Sequence, residues 1–328
     1  MNAQGPKVTV VVLSWNGKDY LERCLSSILK QTYKNYEVLF VDNGSSDGSA
    51  DLVRSNFLGV SILALNPNCG FAKGNNIGIE KVLKNDDVRY VLLLSIDTYV
   101  DVNFIAELVS VAESENGIGS CQPRMLSSDD PHIINAVGLT LGKKGGAIQL
   151  GYGKEDTDEF CQIREVFGAN AGAALYRSDM LRQIGLFDED FFAYYEDVDL
   201  ALRARLAGWK CVYSPKALVY HKHSVTYGKQ SPFKEYVLTR NSYYYVIKDL
   251  PADIVFWFLL KRLRNVVGLM VRMMIRRMLF NKNEHDMNAS RLKAHIHAIR
   301  NIHKMFGKRK EIQSKKTISN EELKRWFI

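Results

Sequence analysis

Short apolar runs alternate with segments of helical spacing through the first 120 residues. Four runs rich in β-branched and aliphatic side chains predict strands, at residues 8–13, 37–41, 60–65 and 90–94. Between them apolar residues recur every three or four positions, as Leu21, Leu25 and Ile28 do. Strands that alternate with helices imply right-handed crossovers and a parallel sheet. We therefore predict an α/β fold whose polar loops meet at one edge of the sheet.

A single carboxylate follows the fourth apolar run. Residues 91–94 show no polar alternation, so both faces of this strand should be covered by helices. Ligands of such sheets bind in the crevice at the carboxyl ends of the strands, which is where Asp97 would lie. The alternative is a turn aspartate that caps the next element, and this stretch alone leaves both interpretations open.

The segment from about residue 121 to residue 230 is less regular. Its Gly- and Lys-rich stretch, residues 141–156, predicts a hairpin or a mobile loop. Farther on, Val198, Leu202 and Leu206 recur at helical spacing, and Gly208 suits the end of that helix.

Charge divides the 328 residues unevenly. From residue 231 onward 21 lysines and arginines oppose 8 acidic residues, so a net charge of +13 lies there and −5 lies on the rest. A basic tail indicates an anionic partner, either a membrane surface or nucleic acid. The five cysteines are odd in number and never form a CxxC pair, which favours reduced thiols in the cytosol over disulfides or a zinc site.

Residues 251–280 are apolar enough to suggest a transmembrane helix. Their longest uncharged run, residues 254–260, is far shorter than the ~20 residues that a span requires. On a helical projection one arc carries Lys261, Arg262, Arg264, Asn265, Gly268, Arg272 and Arg276. The opposite arc carries Leu263, Val266, Val267, Met270, Met273, Met274 and Met278. We predict a basic amphipathic helix on an anionic membrane surface. The alternative is a helix that packs on the rest of the chain with its cations in water, and RNA binding is disfavoured because aromatic residues are not interleaved with the basic ones.

Seven segments occur in an order typical of one known family. They read VTVVVLSWNG, EVLFVDNGSSDGS, NPNCGFAKGNNIGI, LLLSIDTYV, GANAGAALYRSD, GLFDEDFFAYYEDVDLALRARLAGW and VYHKHS. Together they resemble the glycosyltransferase family 2 enzymes of the GT-A fold, particularly the rhamnosyltransferase-like branch, over about residues 7–225. The resemblance implies a Rossmann-like, mostly parallel sheet flanked by helices. With it we expect residues 1–230 to be the catalytic domain, and the charge and helical pattern of the tail make residues 231–328 a helical, basic, membrane-associating region.

The resemblance also implies a nucleotide-sugar site at the strand ends, where backbone amides and short polar side chains suit a diphosphate. Its expected members are Ser14, Asn16, Asp42, Asn43, Gly70, Lys73, Asn75 and Ser95. Asp42 would read the base by accepting the imide N–H of uracil or thymine, although a helix-capping turn is an alternative that Asp47 fits better. Lys73 would bring positive charge to the nucleotide, unless it is a solvent-exposed turn lysine.

A metal site is expected where the family has a D-x-D at the end of the fourth strand. Here the motif reads Ser95-Ile96-Asp97, and relatives of this branch often show N-x-D, so Asp97 is expected to ligate Mg²⁺ or Mn²⁺. One carboxylate with phosphate oxygens and waters is a normal ligand set for these ions. A C-terminal histidine often completes the family's metal shell. His221 fits that position better than His223, and only one of the two can face the site from an extended segment.

Inverting transfer requires a base that takes the proton of the acceptor hydroxyl. Glu196-Asp197 resembles the family's E-D motif, so Asp197 is the expected base and Glu196 a supporting or acceptor-binding acid. Acids also favour helix N-termini electrostatically, so capping is the alternative for one of Glu196, Asp197 and Asp199. Trp15 is expected to be a packing residue.

The resemblance therefore predicts an inverting, metal-dependent hexosyltransferase of cell-surface glycan synthesis. The donor would be a dTDP- or UDP-sugar, with dTDP-rhamnose a candidate, and the acceptor a hydroxyl of a lipid-linked or polysaccharide glycan. We expect a cytoplasmic protein, peripheral at the inner face of the cell membrane, with no nucleic-acid partner. Two alternatives stay open. One is a non-catalytic nucleotide-sugar-binding protein, suggested by Ser95 in place of an acid. The other is a nucleotidyltransferase of related fold, which would need a Gly-rich loop that VVLSWNGKD lacks.

Overall fold

The structure is a computed structural model that describes residues 5–143, 145–222, 231–280 and 287–328, without the side chains of residues 276–280. The strands within these residues are β1 (Lys7–Ser14), β2 (Tyr36–Asn43), β3 (Val60–Leu65), β4 (Val88–Ser95), β5 (Thr98–Val100), β6 (Ile118–Ser127), β7 (Ile134–Ala136), β8 (Leu139–Leu141), β9 (Ala147–Gln149), β10 (Arg164–Val166), β11 (Ala173–Arg177) and β12 (Lys210–His221). The helices are α1 (Lys18–Leu29), α2 (Ser49–Asn56), α3 (Phe71–Val82), α4 (Phe104–Ala112), α5 (Ser178–Ile184), α6 (Glu196–Leu206), α7 (Pro232–Asp249), α8 (Ala252–Phe280), α9 (Met287–Arg300), α10 (Ile302–Ser314) and α11 (Asn320–Lys324).

One large sheet organises the fold, with the strand order β10-β12-β6-β11-β4-β1-β2-β3. β3, β2, β1 and β4 are mutually parallel. β11 is antiparallel to both β4 and β6, and β12 is parallel to β6. Six of these eight strands therefore run in one direction, which confirms the predicted mostly parallel α/β sheet.

Alternate residues of the central strands build two separate cores. In β1, Val10 and Val12 join the cluster formed with α1, α2 and α4, whereas Val11 joins the cluster formed with α3, α5 and α6. This split follows from the two-residue period of a strand. Helices on both faces explain why the apolar runs lack polar alternation.

A third apolar cluster joins the C-terminal helices to α6 and to the β8–β9 hairpin. Leu139 of the hairpin and Val198 of α6 pack there with Tyr244 of α7 and Met305 of α10. The hairpin confirms the first interpretation of the Gly- and Lys-rich stretch. At its turn, the Tyr245 hydroxyl donates to the carbonyl oxygen of Gly145 at 2.9 Å.

A buried lysine in α7 reinforces this junction. The Lys248 ammonium pairs with the carboxylates of Asp188 and Asp199, and the side chains of Lys248 and Asp199 are almost completely buried. Removing one partner of a buried ion pair typically costs about 3–5 kcal/mol, because the remaining charge is left without compensation. The C-terminal helices therefore stabilise the segment that leads into α6.

Helix α8 packs through one face and exposes an apolar face. Its exposed apolar side chains are Phe256, Trp257, Leu260, Leu263, Val267, Met270, Val271, Met274 and Ile275. The prediction that Arg262 lies among the exposed cations is wrong. Its guanidinium donates to Ser242 Oγ at 2.7 Å and lies 4.8 Å from the ring centroid of Phe258, so it faces the body of the protein.

The side chain of Arg276 and all of His223 lie outside the described residues. Among the helices that the structure describes, none combines the length and apolarity needed to cross a bilayer.

Candidate active site

A cleft of about 400 Å³ opens at the carboxyl ends of β1, β2 and β4. The β8–β9 hairpin contributes Ile148 to its wall, and the first turns of α7 contribute Lys234 and Leu238. Six predicted site residues line the cleft: Asn43, Ser95, Asp97, Glu196, Asp197 and His221. Residues separated by more than 170 positions in the sequence are thus brought to one sheet edge.

The tight turn between β4 and β5 holds Asp97 at this edge. The backbone N–H of Ser95 donates to the Gly172 carbonyl at 2.9 Å, and the Thr98 hydroxyl donates to the Ser95 carbonyl at 2.7 Å. The carbonyl of Asp97 itself accepts the N–H of Lys222 at 3.0 Å. The backbone is therefore fixed on both sides of the carboxylate.

His221 at the end of β12 faces that carboxylate. Its Nε2 lies 3.5 Å from Asp97 Oδ2, and its Nδ1 lies 3.1 Å from Asn135 Oδ1. The amide oxygen accepts a hydrogen bond from Nδ1–H, which places the lone pair of the imidazole on Nε2, the tautomer of many metal-ligating histidines. The spacing is close to the ~3 Å expected between adjacent ligands around Mg²⁺ at about 2.0–2.1 Å. Asp97 and His221 therefore fit a divalent ion. Within the described residues no group of three or more such side chains could hold one, so substrate and water would supply the other ligands.

The three acids at the start of α6 have different surroundings. Asp199 is fully buried and pairs with Arg203 at 2.9 Å as well as with Lys248. Burial raises its pKa, but these two cations outweigh that effect and hold the pKa below its usual value. Asp199 is thus a structural residue rather than a site residue.

Asp197 and Glu196 face the cleft, and neither forms an ion pair with a cation among the described residues. Asp197 Oδ1 accepts the N–H of Val198 at 2.8 Å, and Oδ2 accepts the N–H of Ala171 at 3.4 Å. Burial raises the pKa of Asp197 to about 6, although these two N–H donors oppose the rise. Burial and the neighbouring Asp197 raise the pKa of Glu196 well above its usual range, and among the described residues Glu196 Oε2 has no hydrogen-bond partner. Both shifts favour the protonated form, so the pair retains a proton to a higher pH than two isolated carboxyl groups would.

The segment that leads into α6 has an uncommon backbone. Phe192, Tyr194 and Tyr195 have φ values of 62°, 67° and 71°. Non-glycine residues in such conformations cost of order 1–3 kcal/mol each and persist only where the surrounding structure holds them. Tyr194 and Tyr195 both line the cleft, so the strain lies at the site itself.

The other six predicted nucleotide-binding residues lie outside the cleft lining. Asp42, at the end of β2, accepts the N–H of Ser45 at 3.2 Å, which is the turn geometry considered as its alternative. Asn16 accepts the N–H of Ser46 at 2.8 Å, and half-exposed Lys73 lies 3.5 Å from Glu189. Ser14 is buried and its Oγ has no hydrogen-bond partner among the described residues. Of the last two, Gly70 is the N-cap residue of α3, and Asn75 is buried within that helix.

Several residues that line the cleft were missed from the sequence. Trp15, expected to be a packing residue, is 36% exposed and lines the cleft, so that expectation is wrong. Asn135 belongs to no motif in the sequence, and it is recognised as a site residue only by its contact with His221 and its place in the cleft lining. Lys234 is half-buried, with its ammonium 5.4 Å from the ring of Tyr194, and burial lowers its pKa.

The chain belongs to glycosyl transferase family 2, since the model of that family matches residues 9–185, more than half of the chain. The N-acetylglucosaminyl-diphospho-decaprenol L-rhamnosyltransferase of Mycobacterium tuberculosis is 27% identical over 241 residues, which cover 67% of this chain and 77% of that protein. This likeness supports the rhamnosyltransferase-like branch predicted from the motifs.

Solved structures confirm the GT-A fold. GalNAc-T7 with UDP, GalNAc and Mn²⁺ aligns with a TM-score of 0.63 and 16% identity, over 78% of this chain and 50% of that one, so the chain spans half the length of GalNAc-T7. The mannosyltransferase PcManGT of Pyrobaculum calidifontis, in complex with GDP-Man and Mn²⁺, aligns with a TM-score of 0.54 and 15% identity, over 95% and 85% of the two chains. At these identities the likeness concerns the fold alone.

Gly70 provides a test of how closely the α3 loop packs on the strained segment. Its φ is +90°, and an added Cβ would lie 2.5 Å from Phe192 Cδ2. We expect Gly70→Ala to lower the free energy of unfolding by about 1–3 kcal/mol, because the backbone is strained and Phe192 must move. Urea denaturation measures this loss. Gly59→Ala is the control, since its Cβ meets nothing within 4 Å, and it should change stability by less than about 0.5 kcal/mol. Equal losses in both variants would contradict the packing.

Proposed function

We propose that the protein is an inverting, metal-dependent glycosyltransferase that transfers a sugar from a dTDP- or UDP-sugar to a hydroxyl of a lipid-linked or polysaccharide acceptor. One observation carries the proposal: the Asp97–His221 pair and the Asp197 carboxyl group line the same cleft at the carboxyl edge of the sheet. Such a cleft presents a site for a diphosphate leaving group and a base for the attacking hydroxyl.

The donor occupies the β1, β2 and β4 side of the cleft. Asp97 and His221 hold Mg²⁺ or Mn²⁺, which when bound offsets the negative charge of the departing diphosphate. Asp42 and Asn43 at the end of β2 lie toward the base and ribose. The other expected donor-side residues lie at the ends of β1 and β4, in the loops beside them and in the first turns of α3: Ser14, Asn16, Gly70, Lys73, Asn75 and Ser95. The nucleotides in the two solved neighbours, UDP and GDP-Man, support a nucleotide-sugar donor.

Asp197 accepts the proton of the acceptor hydroxyl as that oxygen attacks the anomeric carbon. Arg203 and Lys248 form their ion pairs with Asp199 rather than with Asp197. The Asp197 carboxylate, which accepts the N–H groups of Val198 and Ala171, is therefore available to the acceptor. Glu196 remains protonated and hydrogen-bonds the acceptor. The pKa of Asp197, raised to about 6, makes it a stronger base than an ordinary carboxylate while still lying below neutral pH.

The acceptor enters from the side of the β8–β9 hairpin and α7. The Mycobacterium tuberculosis relative is named for a diphospho-decaprenol acceptor, which supports a lipid-linked acceptor for this chain. Lys234 lines the cleft with no carboxylate at ion-pair distance among the described residues, so a phosphate of the substrate would compensate its charge.

The exposed face of α8 attaches the protein to an anionic membrane surface. Lys261, Arg264 and Arg272 are exposed beside the apolar side chains of this face, a combination that suits the headgroup layer. The turn of the β8–β9 hairpin packs at the start of α8, where a Cβ on Gly145 would lie 3.3 Å from Ile254. Because the same hairpin lines the cleft, a lipid-linked acceptor could reach the site from the bilayer. In this account residues 1–230 form the catalytic domain and residues 231–328 the membrane-associating region of a peripheral protein at the cytoplasmic face.

The metal role of Asp97 can be tested by Asp97→Ala. We expect the variant to lose transfer and to lose the Mn²⁺-dependent gain in UDP or dTDP affinity, measured by isothermal titration calorimetry with and without Mn²⁺. Asp86→Ala removes an exposed carboxylate that pairs with Arg182 and does not line the cleft, so it should keep both properties. Unchanged Mn²⁺-dependent nucleotide binding in Asp97→Ala would reject the assignment.

The base role of Asp197 predicts both a mutational and a pH effect. Asp197→Asn keeps the shape but cannot accept a proton, so turnover should fall by about 10²–10⁴-fold with nucleotide affinity retained. In the unmodified protein kcat/KM should fall as the pH drops below about 6, because the base must be ionised and its pKa is raised to about 6. Asp179→Asn makes the same change at an exposed carboxylate of α5 and should leave turnover intact. Near-normal turnover of Asp197→Asn would move the role to Glu196, and a non-catalytic sugar-nucleotide binder would show no turnover in any variant.

Membrane attachment can be tested with liposomes. The protein should pellet with phosphatidylglycerol vesicles at low salt and be released at high salt. Neutralising Lys261, Arg264 and Arg272 to Gln should weaken binding on the order of 10²-fold, since each basic residue near such a surface contributes about 1 kcal/mol. The matched control changes three exposed lysines elsewhere, Lys30, Lys81 and Lys84, to Gln. Equal binding to neutral and anionic vesicles, or equal effects of the two triple variants, would refute the electrostatic part of this account.

A further inference from the structure

Two adjacent residues of α7 contact the strained segment that precedes the acidic pair. Asn241 is fully buried, and its Nδ2 donates to the carbonyl oxygens of Phe191, Ala193 and Tyr194 at 2.9, 2.8 and 2.7 Å. An amide group has two hydrogens, so three acceptors must share them. All three acceptors belong to the stretch that contains the three positive φ values.

Arg240 extends these contacts by one residue. Its guanidinium donates to the carbonyls of Asp190 and Phe191 at 3.0 and 2.8 Å, and its Nε donates to Asn241 Oδ1 at 2.9 Å. The arginine therefore orients the asparagine as well as the backbone. Four carbonyls of a short, irregular segment are satisfied by two side chains of one helix.

The segment held in this way connects the two halves of the cleft. On one side, the Phe192 carbonyl accepts the N–H of Ala72 at 3.1 Å, next to Gly70 at the start of α3. On the other, the Tyr195 carbonyl accepts the N–H of Asp199 at 3.0 Å and so begins α6. A shift of the segment would move Asp197 relative to the strand ends.

We propose that Arg240 and Asn241 are positioning residues that hold residues 190–195 in their strained conformation and thereby place Asp197 against the donor side of the cleft. The proposal rests on the proposed function for the role of Asp197, but the holding of the segment is independent of it. An ordinary buried asparagine would satisfy its own amide within α7 or with scattered partners. Here every donor of the amide serves one strained segment in another part of the chain.

The test combines kinetics with hydrogen–deuterium exchange on the full chain. Asn241→Ala removes both amide donors, and Arg240→Lys is a milder second variant that keeps the charge but loses the planar contacts. We expect turnover to fall by about 10²-fold, the loss typical of a catalytic group displaced by about 1 Å. The affinity for UDP with Mn²⁺ should stay unchanged, because Asp97 and His221 are not contacted by either side chain. Amides 192–197 should exchange faster in both variants, while those of β1 and β4 keep their protection.

Gln31→Ala is the matched control. Gln31 is also a buried amide that donates to a distant carbonyl, at 2.7 Å to Asp101, but it does not line the cleft. It should cost stability without changing turnover or exchange at 192–197. The proposal would be overturned if amides 192–197 exchanged at the unmodified rate in both Asn241→Ala and Arg240→Lys. It would also be overturned if these variants lost no more turnover than Gln31→Ala does. Faster exchange in a protein whose unmodified form transfers no sugar would retain the holding role and reject only the proposed function.

Discussion

The accommodation of three carboxylates within four residues at the start of α6 constrains the rest of this structure. A buried charge without a partner raises the free energy of the folded state, so each acid must be ion-paired, hydrogen-bonded or protonated. Asp199 pairs with Lys248 and Arg203, burial and the neighbouring Asp197 raise the pKa of Glu196, and Asp197 faces the cleft with two backbone N–H donors. The three acids thus lie in three different environments, and Asp197 is the one that we propose as the base.

The C-terminal helices follow from this constraint. Lys248 reaches Asp199 from α7, and the same helix contributes Asn241 to the strained segment and Lys234 to the cleft. α7 therefore contributes side chains both to the cleft and to the segment that supports it, while the neighbouring helix α8 exposes an apolar face. The helix that contributes to the site and the helix that we propose to bind a membrane surface are therefore neighbours in the C-terminal region.

Much of the catalytic fold could be predicted because its signals are local. Continuous apolar runs located the first four strands to within two residues, and a lone acid after such a run placed Asp97 at the sheet edge. Helical spacing located α6, and the Gly- and Lys-rich stretch indicated a hairpin. These features depend on neighbours in the sequence, so the sequence shows them.

The remaining features depend on contacts between distant residues. Asp197 and Asp199 look alike in the sequence, and the partner that buries the charge of Asp199 most deeply, Lys248, lies 49 positions farther along. Positive φ values at Phe192, Tyr194 and Tyr195 are uncommon for such residues and carry no sequence signal. Arg262 has the spacing of a surface cation, but the Phe258 ring and Ser242 turn it inward. The spacing of apolar and charged residues along the sequence does not show which distant side chains will be in contact.

The most direct test of this account is a crystal structure with UDP and Mn²⁺, with the ion located by anomalous diffraction. The account predicts an anomalous peak within about 2–2.5 Å of the Asp97 carboxylate and His221 Nε2, with the diphosphate in the cleft that Asp197 lines. A nucleotide bound outside this cleft, or an ion that contacts neither side chain, would contradict it.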